Sequence, residues 1–315
     1  MINRDYLYTK RYINANDFSL IDNSVYIYSK SPEERSFCTI DVLKRKCQNI
    51  KYLEIEYNED DSIVANGANT KHYLRDSISM CSLLEMYNLP VIYIDTSGLN
   101  ARISASLLRN AVLIAEKRKI EINIIYTEPN TYKVDLFNSH GFFQHISEKI
   151  GGIEPLPGFA SIIPNTEKIK FVALLGFEGG RFTYITEQIQ LPKDSITPVV
   201  GVPGFRIEYP FVALLGNKLP LEETESWNNI EYAAANSIVD AFFLLKKILK
   251  KPPIDYKLII APIGTKPHVI AAILLAIKFP EQVEIIYDNP ERKNKRTEGT
   301  GLINVCNINS LLGED

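Results

Sequence analysis

The segment Ala261-Pro-Ile-Gly-Thr-Lys-Pro-His-Val-Ile270 indicates the fold class most clearly. It connects an apolar run at 257–263, which predicts a β-strand, to one at 266–278, which predicts a helix. Gly264 permits a tight turn between them, and Thr265 is suited to cap the helix. A buried strand, a glycine turn and a helix in this order are typical of a βαβ unit in a parallel sheet.

This turn is also the first candidate for binding chemistry. Backbone amides at a helix N-terminus favour an anion, and Lys266 adds a full positive charge. Gly264, Thr265 and Lys266 are therefore candidate phosphate ligands. The alternative is an ordinary strand-to-helix turn with a solvated lysine. The Gly-x-x-x-x-Gly-Lys-Ser/Thr pattern of a Walker A loop is absent.

Outward from this segment, short apolar runs alternate with helical stretches through most of the chain. This alternation predicts an α/β fold of two Rossmann-like halves with largely parallel sheets. Asn236 is predicted to cap the helix that follows it. Strands are predicted at 24–29, 51–57, 90–95, 121–126, 170–175, 196–201, 257–263 and 283–287. Helices are predicted at 33–47, 71–87, 103–114, 182–189, 208–216, 236–251 and 266–278.

The alternation lapses between 127 and 169, where Gly151-Gly-Ile-Glu-Pro-Leu-Pro-Gly158 is rich in turn-forming residues. This lapse predicts two domains and a connector. The N-terminal Rossmann-like domain is assigned to 1–150, the connector to 151–168 and the C-terminal Rossmann domain to 169–315.

Two further loops of the second half follow predicted strands, at the sheet edge where parallel α/β folds bind ligands. Glu178 and Arg181 could bind a ligand hydroxyl and a phosphate, or they could pair with each other on the surface. Phe205 could stack on a base and Arg206 could contact a phosphate. The alternative is a Pro-Gly turn in which Phe205 packs inward.

Three other features carry open alternatives. Asp95 ends an apolar strand and could hold magnesium or a ribose, although Ser97 beside it is more simply a helix cap. His268 could act as a general base or satisfy local hydrogen bonds. The basic run 292–296 could clamp a polyanion or form a solvated loop.

The strand–Gly264-Thr265-Lys266–helix arrangement resembles the Gly-Thr-Lys motif of the CARF (CRISPR-associated Rossmann fold) superfamily, over roughly 168–290. The resemblance implies a dimeric sensor of cyclic oligonucleotides in bacterial or archaeal antiviral defence. It implies that these three residues contact ligand phosphate and ribose, and that the loop 176–181 forms a second contact. No nuclease or helix-turn-helix effector is recognisable in the chain, so a separate effector protein is a candidate partner.

Composition excludes several classes of protein. Lysine and arginine number 35 and aspartate and glutamate 38, a net charge of −3, which disfavours duplex nucleic acid. No membrane span or signal peptide is expected, because the apolar runs are short and residues 1–10 carry charges. Soft-metal binding is not expected, since the cysteines and histidines are scattered, and reduced cysteines suit a cytoplasmic location. These residues are Cys38, Cys47, Cys81 and Cys306, with His72, His140, His145 and His268.

The candidate phosphate site and the resemblance together predict a nucleotide-binding sensor or regulatory module, with a phosphorylated nucleotide as ligand; the resemblance further implies a cyclic oligonucleotide and a homodimer. No resident cofactor is expected. One alternative is a magnesium-dependent nucleotide or phosphodiester hydrolase that uses Asp95 or Glu178. A further alternative is a scaffold subunit without catalysis.

Overall fold

The computed structural model describes residues 4–133, 147–160, 169–189, 191–251, 256–292 and 296–313. The chain divides into two compact units. Unit 1 comprises 1–132 and 294–315, and unit 2 comprises 133–293. Both are α/β, Rossmann-like units, which confirms the predicted fold class.

Unit 1 is built around a sheet of eight strands among the described residues. The strands are β1 (Thr9–Tyr12), β2 (Ser24–Tyr28), β3 (Ile50–Tyr57), β4 (Ser62–Ala65), β5 (His72–Tyr73), β6 (Val91–Asp95), β7 (Glu121–Thr127) and β18 (Ile303–Asn307). A short pair, β8 (Thr131–Tyr132) and β17 (Thr297–Glu298), lies apart from this sheet. The helices are α1 (Asp5–Tyr8), α2 (Cys38–Lys46), α3 (Ser77–Glu85), α4 (Ala101–Lys117) and α10 (Ile308–Leu312).

The strand order in unit 1 is β1-β18-β7-β6-β2-β3-β4-β5. Strands β3, β2, β6 and β7 are parallel and form the centre, and every residue of β2 and β6 is buried. The last strand, β18, runs antiparallel to β7 and aligns Val305 with Ile125. The apolar β18 thus covers an edge of the parallel sheet that would otherwise be unpaired.

This pairing corrects the predicted domain boundaries. Residues 294–315 belong to unit 1, whereas the sequence pattern predicted them in the C-terminal domain. The predicted connector also contributes a strand, Glu154–Pro155, to unit 2, and its residues 161–168 lie outside the described part. An apolar run shows that a strand forms but does not show which sheet it joins, because that depends on pairing across the whole chain.

Unit 2 has a six-stranded sheet and a two-stranded ribbon among the described residues. The sheet strands are β10 (Glu154–Pro155), β11 (Ile169–Leu174), β12 (Ile196–Gly201), β13 (Glu231–Ala233), β14 (Lys257–Pro262) and β15 (Val283–Tyr287). The ribbon pairs β9 (Ser147–Ile150) with β16 (Pro290–Arg292). The helices are α5 (Gly179–Ile189), α6 (Tyr209–Gly216), α7 (Lys218–Glu223), α8 (Ile238–Leu249) and α9 (Lys266–Lys278).

The strand order of unit 2 is β10-β15-β14-β11-β12-β13, in which β11 to β15 are parallel and β10 is antiparallel. Helix α9 packs between the sheet, at β14 and β15, and the neighbouring helix α8. Its residues from Pro267 to Ala276 are therefore buried on every side, which explains why this helix is apolar all round. The strands bring the predicted loops of this half to one end of the sheet.

Several predicted elements need correction. The predicted helix 71–87 begins only at Ser77, because Asp76 caps it and the preceding residues form β5. The cap of α8 is Ser237 and not Asn236, since the Ser237 hydroxyl accepts a hydrogen bond from the Asp240 amide. The antiparallel strands β4 and β5 and the β9–β16 ribbon were not predicted, because each is too short for a clear periodic signal.

Candidate functional site

The strand order of unit 2 places one crevice at the ends of its parallel strands. From the central strand β11 the chain moves to β12 on one side and later to β14 on the other. In open parallel sheets, ligands bind outside the carboxyl ends of the strands where the direction reverses in this way. We call the loops at this end, 175–179, 201–206, 234–237, 263–266 and 288–289, the carboxyl edge of unit 2.

Two glycines hold the central loops of the carboxyl edge in backbone contact. A Cβ added at Gly264 would lie 2.5 Å from the carbonyl oxygen of Leu175 and 2.9 Å from that of Leu174. A Cβ added at Gly176 would lie 2.9 Å from the carbonyl oxygen of Ile263. Only glycine permits this approach, so the sequence-predicted glycine turn is fixed by its neighbour loop.

Thr265 and Lys266 open helix α9 at this point. The Thr265 hydroxyl does not cap the helix and instead donates to the Ala235 carbonyl oxygen, at 2.8 Å. Lys266 is the first residue of α9, and Gly264, Thr265 and Lys266 are all half-buried. The predicted motif therefore lies at the carboxyl edge, and the hydroxyl of Thr265 is hydrogen-bonded to the loop 234–237.

Helix α5 begins beside the same crevice and rests on the junction of α6 and α7. A Cβ at Gly179 would lie 2.0 Å from the carbonyl oxygen of Gly216, whereas a Cβ at Gly180 would meet nothing within 4 Å. The fully buried Asn217 donates its amide to the carbonyl oxygens of Gly176 and Ala213, each at 2.7 Å. Asn217 was missed from the sequence because its partner lies 41 positions away.

Arg181 does not face a ligand. It is buried, and its Nε and Nη2 donate to the two oxygens of the fully buried Asp288, at 2.7 and 2.5 Å. Its Nη1 donates to the Ile263 carbonyl oxygen at 2.8 Å. Burial by itself would lower the pKa of Arg181, but the hydrogen bonds and charge of Asp288 raise it above its usual value.

The Glu178 carboxylate also has hydrogen-bond partners within the protein. Its carboxylate accepts hydrogen bonds from the Ser147 amide at 2.6 Å and the Ser147 hydroxyl at 3.0 Å. Its nearest approach to Arg181 is longer, at 3.8 Å. The expected Glu178–Arg181 ion pair is therefore present at 3.8 Å, but it is buried and not on the surface, and each residue has a closer partner.

Phe205 and Arg206 lie on the loop after β12. Phe205 is half-buried, and Arg206 is exposed and pairs with Glu208 at 2.6 Å. The loop contains a cis peptide bond between Val202 and Pro203. Of the predicted ligand residues, these two and the 264–266 turn occupy accessible parts of the carboxyl edge.

Asp95 belongs to unit 1 and has structural partners there. Its carboxylate accepts from the Tyr26 hydroxyl at 2.6 Å and from the Ser97 amide at 2.9 Å, and it is almost fully buried. Burial and the nearby Asp95 charge raise the pKa of Tyr26, so its phenol stays a donor. Ser97 is not a helix cap, because its hydroxyl accepts from the Thr127 amide and Asn100 caps α4.

The basic run at 292–296 is divided between the units. Arg292 ends β16 in unit 2, and Arg296 of unit 1 donates to the buried Glu33 at 2.6 Å. Residues 293–295 lie outside the described part of the chain, and with them most of the predicted clamp. Within 4–133, 147–160, 169–189, 191–251, 256–292 and 296–313, no three His, Cys, Asp or Glu side chains are grouped to hold a metal ion.

His268 is fully buried and unsuited to exchange protons with a ligand. Its Nε2 lies 3.0 Å from the Ala234 carbonyl oxygen, and its Nδ1 has no hydrogen-bond partner among the described residues. Burial lowers the pKa of His268 below its usual value, so the folded protein keeps the ring neutral. Nε2 then carries the ring proton and donates a hydrogen bond to the Ala234 carbonyl oxygen.

This burial predicts a loss of stability in mild acid. The unfolded chain takes up a proton at His268 near pH 6.5, and the folded chain does so only at a lower pH. Below about pH 6.5 the free energy of unfolding should fall by up to about 1.4 kcal/mol per pH unit from this residue. Denaturant unfolding of wild type and His268→Gln between pH 7.5 and 5.5 measures the difference. If the free energy of unfolding changes with pH by the same amount in wild type and in His268→Gln, this prediction is wrong.

Comparisons with known proteins leave the family open. No family model matches the chain, and no curated protein matches it. Among solved structures, a GDP-L-fucose synthetase from Naegleria fowleri is similar at 9% sequence identity and a TM-score of 0.23, over 90% of this chain and 87% of that chain. No helix in the described residues has the length and apolar character that crossing a membrane requires.

Proposed function

We propose that unit 2 binds a phosphorylated nucleotide at its carboxyl edge and acts as a sensor or regulatory module. The observation that carries this proposal is the contact of the glycine turns at Gly176 and Gly264 where the strand order reverses. Helices α5 and α9 both begin at these turns, and helix N-termini attract phosphate. Lys266, at the start of α9, supplies the positive charge.

Each residue has a distinct part in this proposal. Gly176 and Gly264 let the loops after β11 and β14 pack against each other, which fixes the position of the start of α9. Lys266 neutralises the phosphate, and Phe205 offers an aromatic face to the base from the adjoining loop. Arg181 contributes indirectly: through Asp288 and the Ile263 carbonyl it ties α5 to the ends of β14 and β15.

Binding without turnover is favoured over the hydrolase alternative by the state of the carboxylates. Asp95 and Glu178, which a magnesium-dependent reaction would need, are buried and accept hydrogen bonds from Tyr26 and Ser147. Their burial leaves a hydrated magnesium ion little access to either carboxylate. The place in prokaryotic antiviral defence, with a cyclic oligonucleotide as ligand, rests on the resemblance of Gly264-Thr265-Lys266 to the CARF motif.

Lys266→Ala should weaken nucleotide binding about 10- to 150-fold, because a hydrogen bond to a charged group contributes roughly 1.5–3 kcal/mol. A thermal-shift screen of mono-, di- and triphosphates and of cyclic oligoadenylates selects the probe, and calorimetric titration then gives its dissociation constant. The matched control is Lys278→Ala, which removes the same charge from the last residue of the same helix. Its affinity should stay within about twofold of wild type, because the charge is far from the helix N-terminus.

Three results would count against the proposal. Equal affinity of wild type and Lys266→Ala would move the site away from α9. Conversion of the probe to a product by the purified protein would favour the hydrolase alternative. A failure of every probe to bind, with the chain folded, would favour the scaffold alternative.

A further inference from the structure

The sheet of unit 2 has a second edge, at the amino ends of its parallel strands and opposite the candidate site. Strands β11, β14 and β15 begin there. Helices α8 and α9 end there, since α8 leads into β14 and α9 leads into β15. Seven described lysines lie at these strand starts and helix ends, and we call them the lysine patch: Lys170, Lys246, Lys247, Lys250, Lys251, Lys257 and Lys278.

The members of the lysine patch are neighbours in space. Lys170 donates a hydrogen bond to the carbonyl oxygen of Lys251, so the start of β11 contacts the end of α8. The strand register places Lys257, the first residue of β14, beside Ile169, the first residue of β11. Helices α8 and α9 pack against each other and both run from the carboxyl edge to this edge, which brings Lys278 to the same place. The patch is therefore one local cluster around the starts of β11 and β14.

Acidic side chains of the described residues do not balance the lysine patch. Glu284 lies 3.4 Å from Lys257, and Glu281 is exposed between α9 and β15. Seven lysines against two glutamates give this edge a local net charge of +5, whereas the whole chain has a net charge of −3. The adjoining segments 161–168 and 252–255 lie outside the described part, and their charged residues would change the sum by one: Glu167, Lys168 and Asp255.

The excess of positive charge ends at the start of β12. There Lys193 lies 2.6 Å from Glu225, and Glu187 of α5 and Asp194 bring further negative charge. The positive field is therefore confined to the side of this edge where α8 and α9 end, and a polyanion would be attracted to that side.

Folding stability does not account for this concentration of charge. The helix dipole favours a cation in the last turn of a helix, which explains single lysines at the ends of α8 and α9. Like charges four positions apart oppose this gain, and Lys246 and Lys250 have that spacing. Lys247, Lys250 and Lys251 are exposed to solvent. An exposed cluster of one sign, held against its own repulsion, is typical of a surface that binds an oppositely charged ligand.

We propose that the lysine patch binds the phosphate backbone of single-stranded nucleic acid. A lysine ammonium group is a compact point charge, which neutralises a phosphate without a fixed geometry. Two half-buried aromatic side chains accompany the lysines. The centre of the Tyr256 ring lies 5.3 Å from Lys170 Nζ, and Phe279 directly follows Lys278 at the end of α9. Bases of a single strand stack on aromatic rings of this kind.

A single strand is favoured over two other polyanions. An acidic protein segment would use the lysines but not the aromatic rings, and carboxylates are bound best by the paired donors of arginine, which no member of the patch supplies. A duplex presents its phosphates over a wide face, which the net charge of −3 disfavours. The proposal goes beyond the nucleotide site, because it concerns the opposite end of the same strands.

Fluorescence anisotropy of the full chain with labelled RNA and DNA single strands of about 12 nucleotides tests the proposal. With about four phosphates neutralised, the logarithm of the affinity should fall with the logarithm of the salt concentration at a slope of about −2.8. This slope corresponds to a loss of about 50-fold in affinity between about 50 and 200 mM salt.

The test variant combines Lys247→Ala, Lys250→Ala and Lys251→Ala. It should bind the strands about 100-fold more weakly than wild type at about 100 mM salt, because each phosphate contact contributes about fivefold there. The matched control combines Lys117→Ala, Arg118→Ala and Lys119→Ala, which removes the same charge from the end of α4 in unit 1. Its affinity should stay within about threefold of wild type, because only the distant field of the chain changes.

Four outcomes would overturn the proposal. These are no binding of either strand by wild type at low salt, an affinity that does not depend on salt, an equal loss in the control variant, and displacement of the strand by polyglutamate as effectively as by unlabelled strand. The last would assign the patch to an acidic protein segment. Circular dichroism checks that the test variant is folded. If it is not, the single exposed change Lys250→Glu decides by the same criteria.

Discussion

Asp288→Ala is expected to lower the free energy of unfolding by about 3–5 kcal/mol, the loss that follows when a buried ion pair loses one partner. Asp288 is fully buried, and both of its oxygens accept from Arg181. Without the carboxylate, the Arg181 guanidinium stays in the interior with one hydrogen bond, to the Ile263 carbonyl oxygen, and with Glu178 3.8 Å away as its counter-charge. Chemical denaturation at neutral pH, monitored by circular dichroism, measures the change.

Two controls separate this buried pair from charge removal in general. Glu225→Ala breaks an exposed ion pair of the same unit, with Lys193, and should leave the denaturation midpoint nearly unchanged. The double variant Arg181→Met with Asp288→Leu should recover part of the loss, because it removes the buried guanidinium together with its carboxylate, while Glu178 keeps its hydrogen bonds from Ser147. A small effect of Asp288→Ala, or a double variant less stable than it, would contradict the assigned role of the pair.

Gly264→Ala is expected to lower the free energy of unfolding by about 2–3 kcal/mol and to abolish the nucleotide binding that we propose at the carboxyl edge. The added methyl group would collide with two backbone carbonyl oxygens, those of Leu174 and Leu175. Backbone atoms in a buried turn cannot rotate away as a flexible side chain can. The loops after β11 and β14 would have to separate, and this displaces the start of α9 and Lys266.

Gly180→Ala is the matched control, since it adds the same methyl group where nothing lies within 4 Å. In helix α5 alanine is preferred over glycine, so this variant should be more stable than wild type by up to about 1 kcal/mol. Thermal unfolding and titration with the screened nucleotide are measured for both variants. Normal affinity in Gly264→Ala would show that the glycine contact is not part of the site.

Local sequence was sufficient for the elements that have a strong pattern and clear ends. Strand β12, helix α9 and strand β15 have the predicted bounds, 196–201, 266–278 and 283–287. In these segments the apolar runs are bounded by glycine, proline or charged residues, which end an element through the backbone itself. The same signals placed the Gly264-Thr265-Lys266 turn between a strand and a helix.

The hydrogen-bond and ion-pair partners of the polar side chains could not be predicted from the local sequence. Arg181 was expected to meet a ligand or Glu178, three positions away; it does lie 3.8 Å from Glu178, but its short hydrogen bonds go to Asp288, 107 positions away. Thr265 was expected to cap its own helix, but its hydroxyl bonds to Ala235 in another loop. A buried polar group takes whichever partner the packed strands bring within reach, and spacing along the chain does not encode that distance.

Apolar periodicity and glycine geometry act over a few residues, so they were enough to predict an α/β protein and a glycine turn that opens a helix with Lys266 at its start. The remaining features depend on how distant segments pack together. Packing joined 303–307 to the sheet of unit 1 and buried Arg181, Glu178 and Asp95. It left the 264–266 turn, Phe205 and Arg206 accessible at the carboxyl edge of unit 2. Burial and partner choice depend on contacts between distant segments, which exist only once the strand order is set.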